Sequence, residues 1–212
     1  MTQTVIMDLA TPSQAQETLS VEYVGPVEPL DAQFGTIEKL CVPETLAEVA
    51  FQPNLTTYAV VDNAAIPGIT GMAEGDGLEK ACLFKGELGD ELGEVAPWII
   101  ALKPDSKVTR AIFTKGDAQW HLWRKPTVLL VQSDAPLDKM RAHFRKFTRA
   151  QDENGAWLFF RFWELPVLRA LRKSGLRDTV YAKLLGPHRF LYPDLGPDGD
   201  EGLWVLHAQE DG

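Results

Sequence analysis

Two side chains in this 212-residue chain have a type and setting that could carry covalent chemistry, Asp62 and Cys82. Asp62 closes the apolar run Tyr58-Ala59-Val60-Val61, and open α/β enzymes place reacting groups at the ends of such strands. A phosphoryl-transferring centre of the dehalogenase type needs a second aspartate two residues on, where this chain has Ala64. Asp62 is therefore expected to accept hydrogen bonds from loop amides or to pair with an arginine such as Arg161. Cys82 would need His121, His143, His188 or His207 as its base. It lies in the strand-like run Ala81-Cys82-Leu83-Phe84 with no helix N-terminus to lower a thiol pKa, so it reads as a packed core cysteine. The four histidines stand singly, and no pair has metal-ligand spacing. The glycines of residues 68–77 (GITGMAEGDG) match neither the dinucleotide fingerprint nor the phosphate-binding loop. Asp198-Gly199-Asp200-Glu201 lacks the ligand spacing of an EF-hand and reads as a polar turn. No cofactor and no metal is expected, and a small hydrolase using Asp62 or Cys82 is the enzymatic alternative.

A second kind of site is suggested by the run from Asp152 to Leu171, DENGAWLFFRFWELPVLRAL. Asn154-Gly155 is a strong hairpin signal, because both residues tolerate the positive φ angles of a type I′ turn. Trp157 to Trp163 then reads as a strand apolar on both faces, which belongs inside a sheet covered on both sides. Arg161 interrupts it on the face of Trp157, Phe159 and Trp163. A guanidinium there must stack, pair with a carboxylate, or face a partner, since an unpaired buried charge is very unfavourable.

The elements that would position these residues alternate. Strands are expected at Val21–Val24, Tyr58–Val61, Ala81–Phe84, Trp98–Leu102, Val128–Val131, Arg189–Tyr192 and Leu203–His207. A helix opened by Pro43 runs to just before Pro53. In Glu87–Val95 the apolar Leu88, Leu92 and Val95 share one face. Ser106–Lys115 is another helix, with Val108, Ile112 and Phe113 inward. Ser133 or Asp134 caps a third, which buries Leu137, Met140, Phe144 and Phe147 and leaves Arg141, Arg145 and Arg149 on a shared basic face. Two more helices follow the hairpin, at Pro166–Ser174 and Asp178–Leu185. The pattern predicts an α/β protein, with α+β as the variant, built on a mixed sheet flanked by helices with an antiparallel hairpin near 148–163. Residues 1–55 are expected as an arm with a short helix, 56–193 as the core domain, and 194–212 as a loop and closing strand.

Composition narrows the function classes. With 45% hydrophobic and 24% charged residues the chain is an ordinary soluble globular protein. No signal peptide and no membrane span is visible, so the cytoplasm is the expected compartment. The net charge of −9 hides an asymmetry. Met1–Ser106 holds 4 Lys+Arg against 17 Asp+Glu, whereas Lys107–Gly212 holds 17 against 13. Opposite potentials on two regions can steer different partners, and both regions can equally be solvated faces. Nucleic acid is not an expected partner, given a pI near 4.9 and acidic segments that repel phosphate.

Taken in order, Tyr58 to Asp62, Cys82-Leu83-Phe84 with Gly86, Val95-Ala96-Pro97-Trp98, Trp120, the Leu137–Phe147 helix, Leu158-Phe159-Phe160-Arg161-Phe162-Trp163, Val167-Leu168-Arg169 and Leu185-Gly186-Pro187 form a pattern. It resembles the type VI secretion effector chaperones, or adaptors, over about Thr57 to Pro193. The resemblance implies a non-enzymatic protein that binds a toxic effector in the cytoplasm of a Gram-negative bacterium and helps load it onto the secretion spike. Two departures stand out. Trp163-Glu164-Leu165-Pro166 replaces a Tyr-Asp-Pro run, and Trp120-His121 replaces Trp-Gly. Partner contacts are accordingly expected at Arg141, Arg145, Arg149, Arg161, Trp163, Glu164 and Trp120. A toxin-neutralising immunity protein is a third reading.

Overall fold

The computed structural model describes residues 18–31, 40–151, 154–175 and 179–209. The arm before Thr18 lies outside them. Among the described residues the α-helices and strands follow one another as β1 (Thr18–Val24), α1 (Ala47–Ala50), β2 (Thr56–Asp62), α2 (Ile69–Gly75), β3 (Lys80–Cys82), α3 (Glu87–Leu92), β4 (Pro97–Ala101), α4 (Lys107–Phe113), β5 (Val128–Ser133), α5 (Leu137–Phe144), β6 (Arg149–Gln151), β7 (Trp157–Phe159), α6 (Leu165–Ser174), α7 (Thr179–Leu185), β8 (Arg189–Leu195) and β9 (Glu201–Gln209).

Seven strands form one sheet in the order β1-β9-β8-β5-β2-β4-β3, and every pairing in it is antiparallel. The expectation of a mixed sheet is thereby corrected. Alternating helices and strands suggested parallel crossovers, but each helical excursion here returns the chain beside an oppositely directed strand. Both β1 and β9 belong to this sheet, so the N-terminal arm and the closing segment each add a strand to it. Tyr23 on β1 locks that edge: its hydroxyl donates to Asp200, with the Oδ2 contact at 2.9 Å. Its ring fills a slot over Gly25, Gly196 and Gly202, where a Cβ would collide with it.

Period-two alternation explains the layering. On β2, Ala59 and Val61 join a first core layer with Leu46, Ile69, Ala73, Val108, Ile112 and Phe113, supplied by the region before α1 and by α2 and α4. Tyr58 and Val60 face the other way, into a second layer with Met140, Phe144, Leu168, Leu171, Leu184 and Leu185 from α5, α6 and α7. The central strands β2 and β5 are almost wholly buried because helices cover both faces.

Local signals were mostly followed. Ser106 caps α4, its hydroxyl accepting from the Thr109 amide at 3.1 Å. Neither Ser133 nor Asp134 caps α5: its N-cap position is Pro136, without a side-chain cap bond, and Ser133 instead accepts from the Ala135 amide at 3.0 Å in the turn before it. Helix α3 departs from expectation at its end: Gly93–Val95 tightens into a 3-10 turn, which turns Val95 out to solvent. Helix α2 was not expected at all, because its segment holds Gly71 and Gly75, both poor helix formers. Ile69 and Ala73, at helical spacing, pack it on the sheet.

The largest difference concerns the aromatic run. Trp157 to Trp163 is not a central strand. Only Trp157–Phe159 is extended, paired with β6 in a separate two-stranded sheet, and all six residues of that hairpin are exposed. Gly155 takes the left-handed turn conformation at φ 80°, while Asp152 and Glu153 of the turn lie outside the described residues.

Candidate partner-binding surface

The aromatic run divides at Phe160. Phe162 and Trp163 turn inward, Phe162 stacking on Phe144 at 5.3 Å and meeting Trp163 edge-on at 5.1 Å. Trp163 is therefore a core residue, 3% exposed. Trp157, Leu158 and Phe159 stay outside, 58%, 55% and 55% exposed. One ring contact holds them to the body, and a second ties the two strands of the hairpin together. Phe159 stacks on Phe84 at 5.2 Å, and the Arg149 guanidinium lies 5.1 Å from the Trp157 ring centroid.

Between the inner and outer halves sits Arg161. It bridges to Asp62 at the end of β2 and, through Nε, to Glu164 Oε1 at 3.0 Å. Asp62 is 3% exposed, and its Oδ1 also accepts from the Ala64 amide at 3.0 Å. The carboxylate-paired reading of Arg161 holds, and Asp62 is an anchor for the base of the hairpin. Glu164 occupies the N-cap position of α6, with its carbonyl accepting from the Val167 and Leu168 amides.

Another arginine in the pattern is anchored in the same manner. Arg169 on α6 grips Asp194 on β8 with two bonds, Nε to Oδ2 at 2.8 Å and Nη2 to Oδ1 at 2.6 Å. Burial alone would raise the Asp194 carboxyl. Hydrogen bonds from Arg169 and the Leu195 amide, with the charges of Arg169 and Arg172, hold it below the ordinary value instead. Arg172 lies 3.8 Å from the Trp204 ring centroid.

The expected basic face separates into two parts. Arg141 donates from Nε to the Cys82 carbonyl at 2.8 Å, tying α5 to the edge strand β3. Arg145, half-buried, and Arg149, exposed, follow toward the hairpin, with Lys146 exposed between them. Trp120 is 57% exposed in the loop that delivers Leu122 and Trp123 to the first core layer. It belongs to the other side of the sheet from the hairpin, so the structure does not unite it with Arg145 and Arg149. Cys82 is half-buried on β3. Among the described residues, no group of three or more His, Cys, Asp or Glu side chains is placed to hold a metal ion, and no helix is long and apolar enough to cross a membrane.

His143 and His188 meet behind this surface, ring centroids 4.8 Å apart and edge-on. Burial, then the charge of His143, pushes His188 down to about 4 from an ordinary 6.5, against a weaker opposite pull from Asp134. A folded-state value below the unfolded one means that the unfolded chain takes up the proton first on acidification. Stability is thus complete above the ordinary histidine value and declines as pH falls from there toward about 4. The expected loss between about pH 7 and 5 is on the order of 2 kcal/mol. Urea unfolding at both values should show it, and His188→Leu should flatten the dependence. An unchanged slope in that variant would remove His188 as its source.

Sequence reasoning missed Trp157, Leu158 and Phe159 as surface residues. One signal was available: their partner strand is Arg149-Ala150-Gln151, too polar to continue a sheet buried on both faces.

The geometry defines an antiparallel α/β domain of three layers in which Arg141, Arg161 and Arg169 make structural bonds, with an apolar hairpin standing out beside cations. Residues 57–178 match the domain of unknown function DUF4123, and since the match spans more than half of the chain, the protein belongs to that family. The matched stretch runs from β2 through α6 and includes Asp62, Arg161, Arg169 and the whole hairpin. No curated protein and no solved structure matches the chain.

Proposed function

We propose that this protein is a non-enzymatic adaptor that binds a type VI secretion effector in the bacterial cytoplasm and helps load it onto the spike. The observation that carries this reading is the exposed strand Trp157-Leu158-Phe159 bordered by Arg145, Lys146 and Arg149. Contiguous exposed apolar side chains rimmed by charge mark a surface for another macromolecule. The ordered motifs of the aromatic run and its flanks supply the secretion context. The hydrolase alternative is weakened by the state of Asp62, whose carboxylate is occupied by Arg161 and loop amides.

Deleting the gene in its host tests the role. Delivery of one effector should be lost while the secretion apparatus still fires with others. Undiminished delivery of every effector would refute it, and death of the deletion strain by its neighbours' toxin would favour the immunity reading. For the surface itself, Arg145→Glu with Arg149→Glu should reduce recovery of the co-expressed effector by roughly tenfold, as loss of two partner-facing charges implies. Arg141 is left intact in this variant because it holds the Cys82 carbonyl. Full recovery with the double reversal would take both arginines out of the interface.

A further inference from the structure

We propose that the outer edge of β7 accepts an extended segment of a partner protein as a third strand, the segment carrying alternating apolar side chains and a carboxylate that meets Arg149. The inference rests on the adaptor reading and adds to it the mode of binding and the chemistry of the bound segment.

The edge follows from the register. Arg149, Ala150 and Gln151 lie opposite Phe159, Leu158 and Trp157. The Phe160 amide donates to the Thr148 carbonyl at 2.9 Å, which makes that pair the hydrogen-bonded kind. Antiparallel pairs alternate, so Ala150 and Leu158 are bonded across the hairpin while Trp157 and Phe159 direct their amides and carbonyls away from β6. Among the described residues no strand lies beyond β7. An unpaired edge bearing large apolar residues is a template for strand addition. A two-stranded hairpin is also marginal in water by itself, and a third strand is the usual remedy.

The side chains specify the occupant. Trp157 and Phe159 share one face of the hairpin with Arg149, while Leu158 projects from the other. An added strand would find apolar contacts on both faces. The Arg149 side chain leans across from β6 to the Trp157 ring, which carries its charge onto β7. A carboxylate on the incoming segment would pair with it, and Arg145 and Lys146 extend the same sign of charge toward α5.

The full-length chain, immobilised, is challenged with a displayed library of short random peptides, and synthetic copies of the enriched peptides are then measured. Enriched peptides should alternate apolar residues and hold at least one Asp or Glu. Trp157→Ser with Phe159→Ser should weaken their binding by at least roughly tenfold, consistent with loss of anchor side chains. Arg149→Gln should weaken the acidic peptides and leave their amide versions unchanged. Hydrogen exchange should show new protection at the Trp157 and Phe159 amides, which docking on side chains alone would not produce. All these side chains are exposed, so the variants should unfold at nearly the wild-type temperature. Binding that persists in the serine variant, protection confined elsewhere, or a library with no enrichment each overturns the proposal. So does a concentration-dependent dimer abolished by the same changes, which would assign the edge to a second copy. Because peptides stand in for the effector, none of these failures bears on the adaptor reading, which the deletion strain decides.

Discussion

Phe162→Ala is expected to destabilise the fold by about 3–5 kcal/mol, and Phe159→Ala, three residues earlier in the same aromatic run, by about 1 kcal/mol or less. Phe162 is fully buried between Phe144 and Trp163, so truncation leaves a cavity in the second core layer. Phe159 is more than half exposed and loses mainly its stack on Phe84. Urea unfolding with matched slopes distinguishes them. Equal losses in the two variants would mean that the run is not divided between core and surface, and the hairpin would lose its standing as an interaction site.

The second large effect is an asymmetry at the base of the hairpin. Arg161→Met should cost about 2–3 kcal/mol, since it strands the Asp62 carboxylate in a buried position. The figure sits at the low end because Arg161 is itself 45% exposed and two loop amides remain on Asp62. Asp62→Asn should cost about 1 kcal/mol or less: Arg161 keeps Glu164 at 3.0 Å and reaches solvent. In the Asp62→Asn background, Arg161→Met should then cost little. A double-mutant cycle reads this coupling. Additive losses would show that the two groups act independently. The same variants bear on the enzymatic alternative, because Asp62→Asn would remove a carboxylate nucleophile while sparing the fold.

Much of the fold was legible before any coordinates. Strands β2, β4, β5, β8 and β9 announce themselves as apolar runs, and Ser106 and Pro136 mark helix starts by their own backbone chemistry. Strand direction was not legible. A helix between two strands is compatible with either sense, and only the tertiary return of the chain decides it. Helix α2 was hidden by Gly71 and Gly75, whose low propensity is outweighed by the packing of Ile69 and Ala73.

At the site, the sequence argument found Arg161 and named Asp62 as a possible partner, because a guanidinium among aromatics has few stable states. It misplaced Trp157, Leu158 and Phe159. Hydrophobicity alone argues for burial, and an exposed apolar strand breaks that rule, as the proposed partner surface requires. Trp163 fails in the opposite direction, since it looked like a specificity residue and is core. Trp120, exposed beside the first core layer, remains a separate surface residue whose role the hairpin does not explain.

The most direct test is the mass of the complex. The chain is co-expressed with the product of an adjacent open reading frame, the proposed effector, and the affinity-purified product is sized with light scattering. A single species at the summed mass of one copy of each is predicted, and it should dissociate when Trp157 and Phe159 are both changed to Ser. Two separate peaks at the individual masses, or a purified chain that turns over a substrate and loses that activity on Asp62→Asn, would contradict the account.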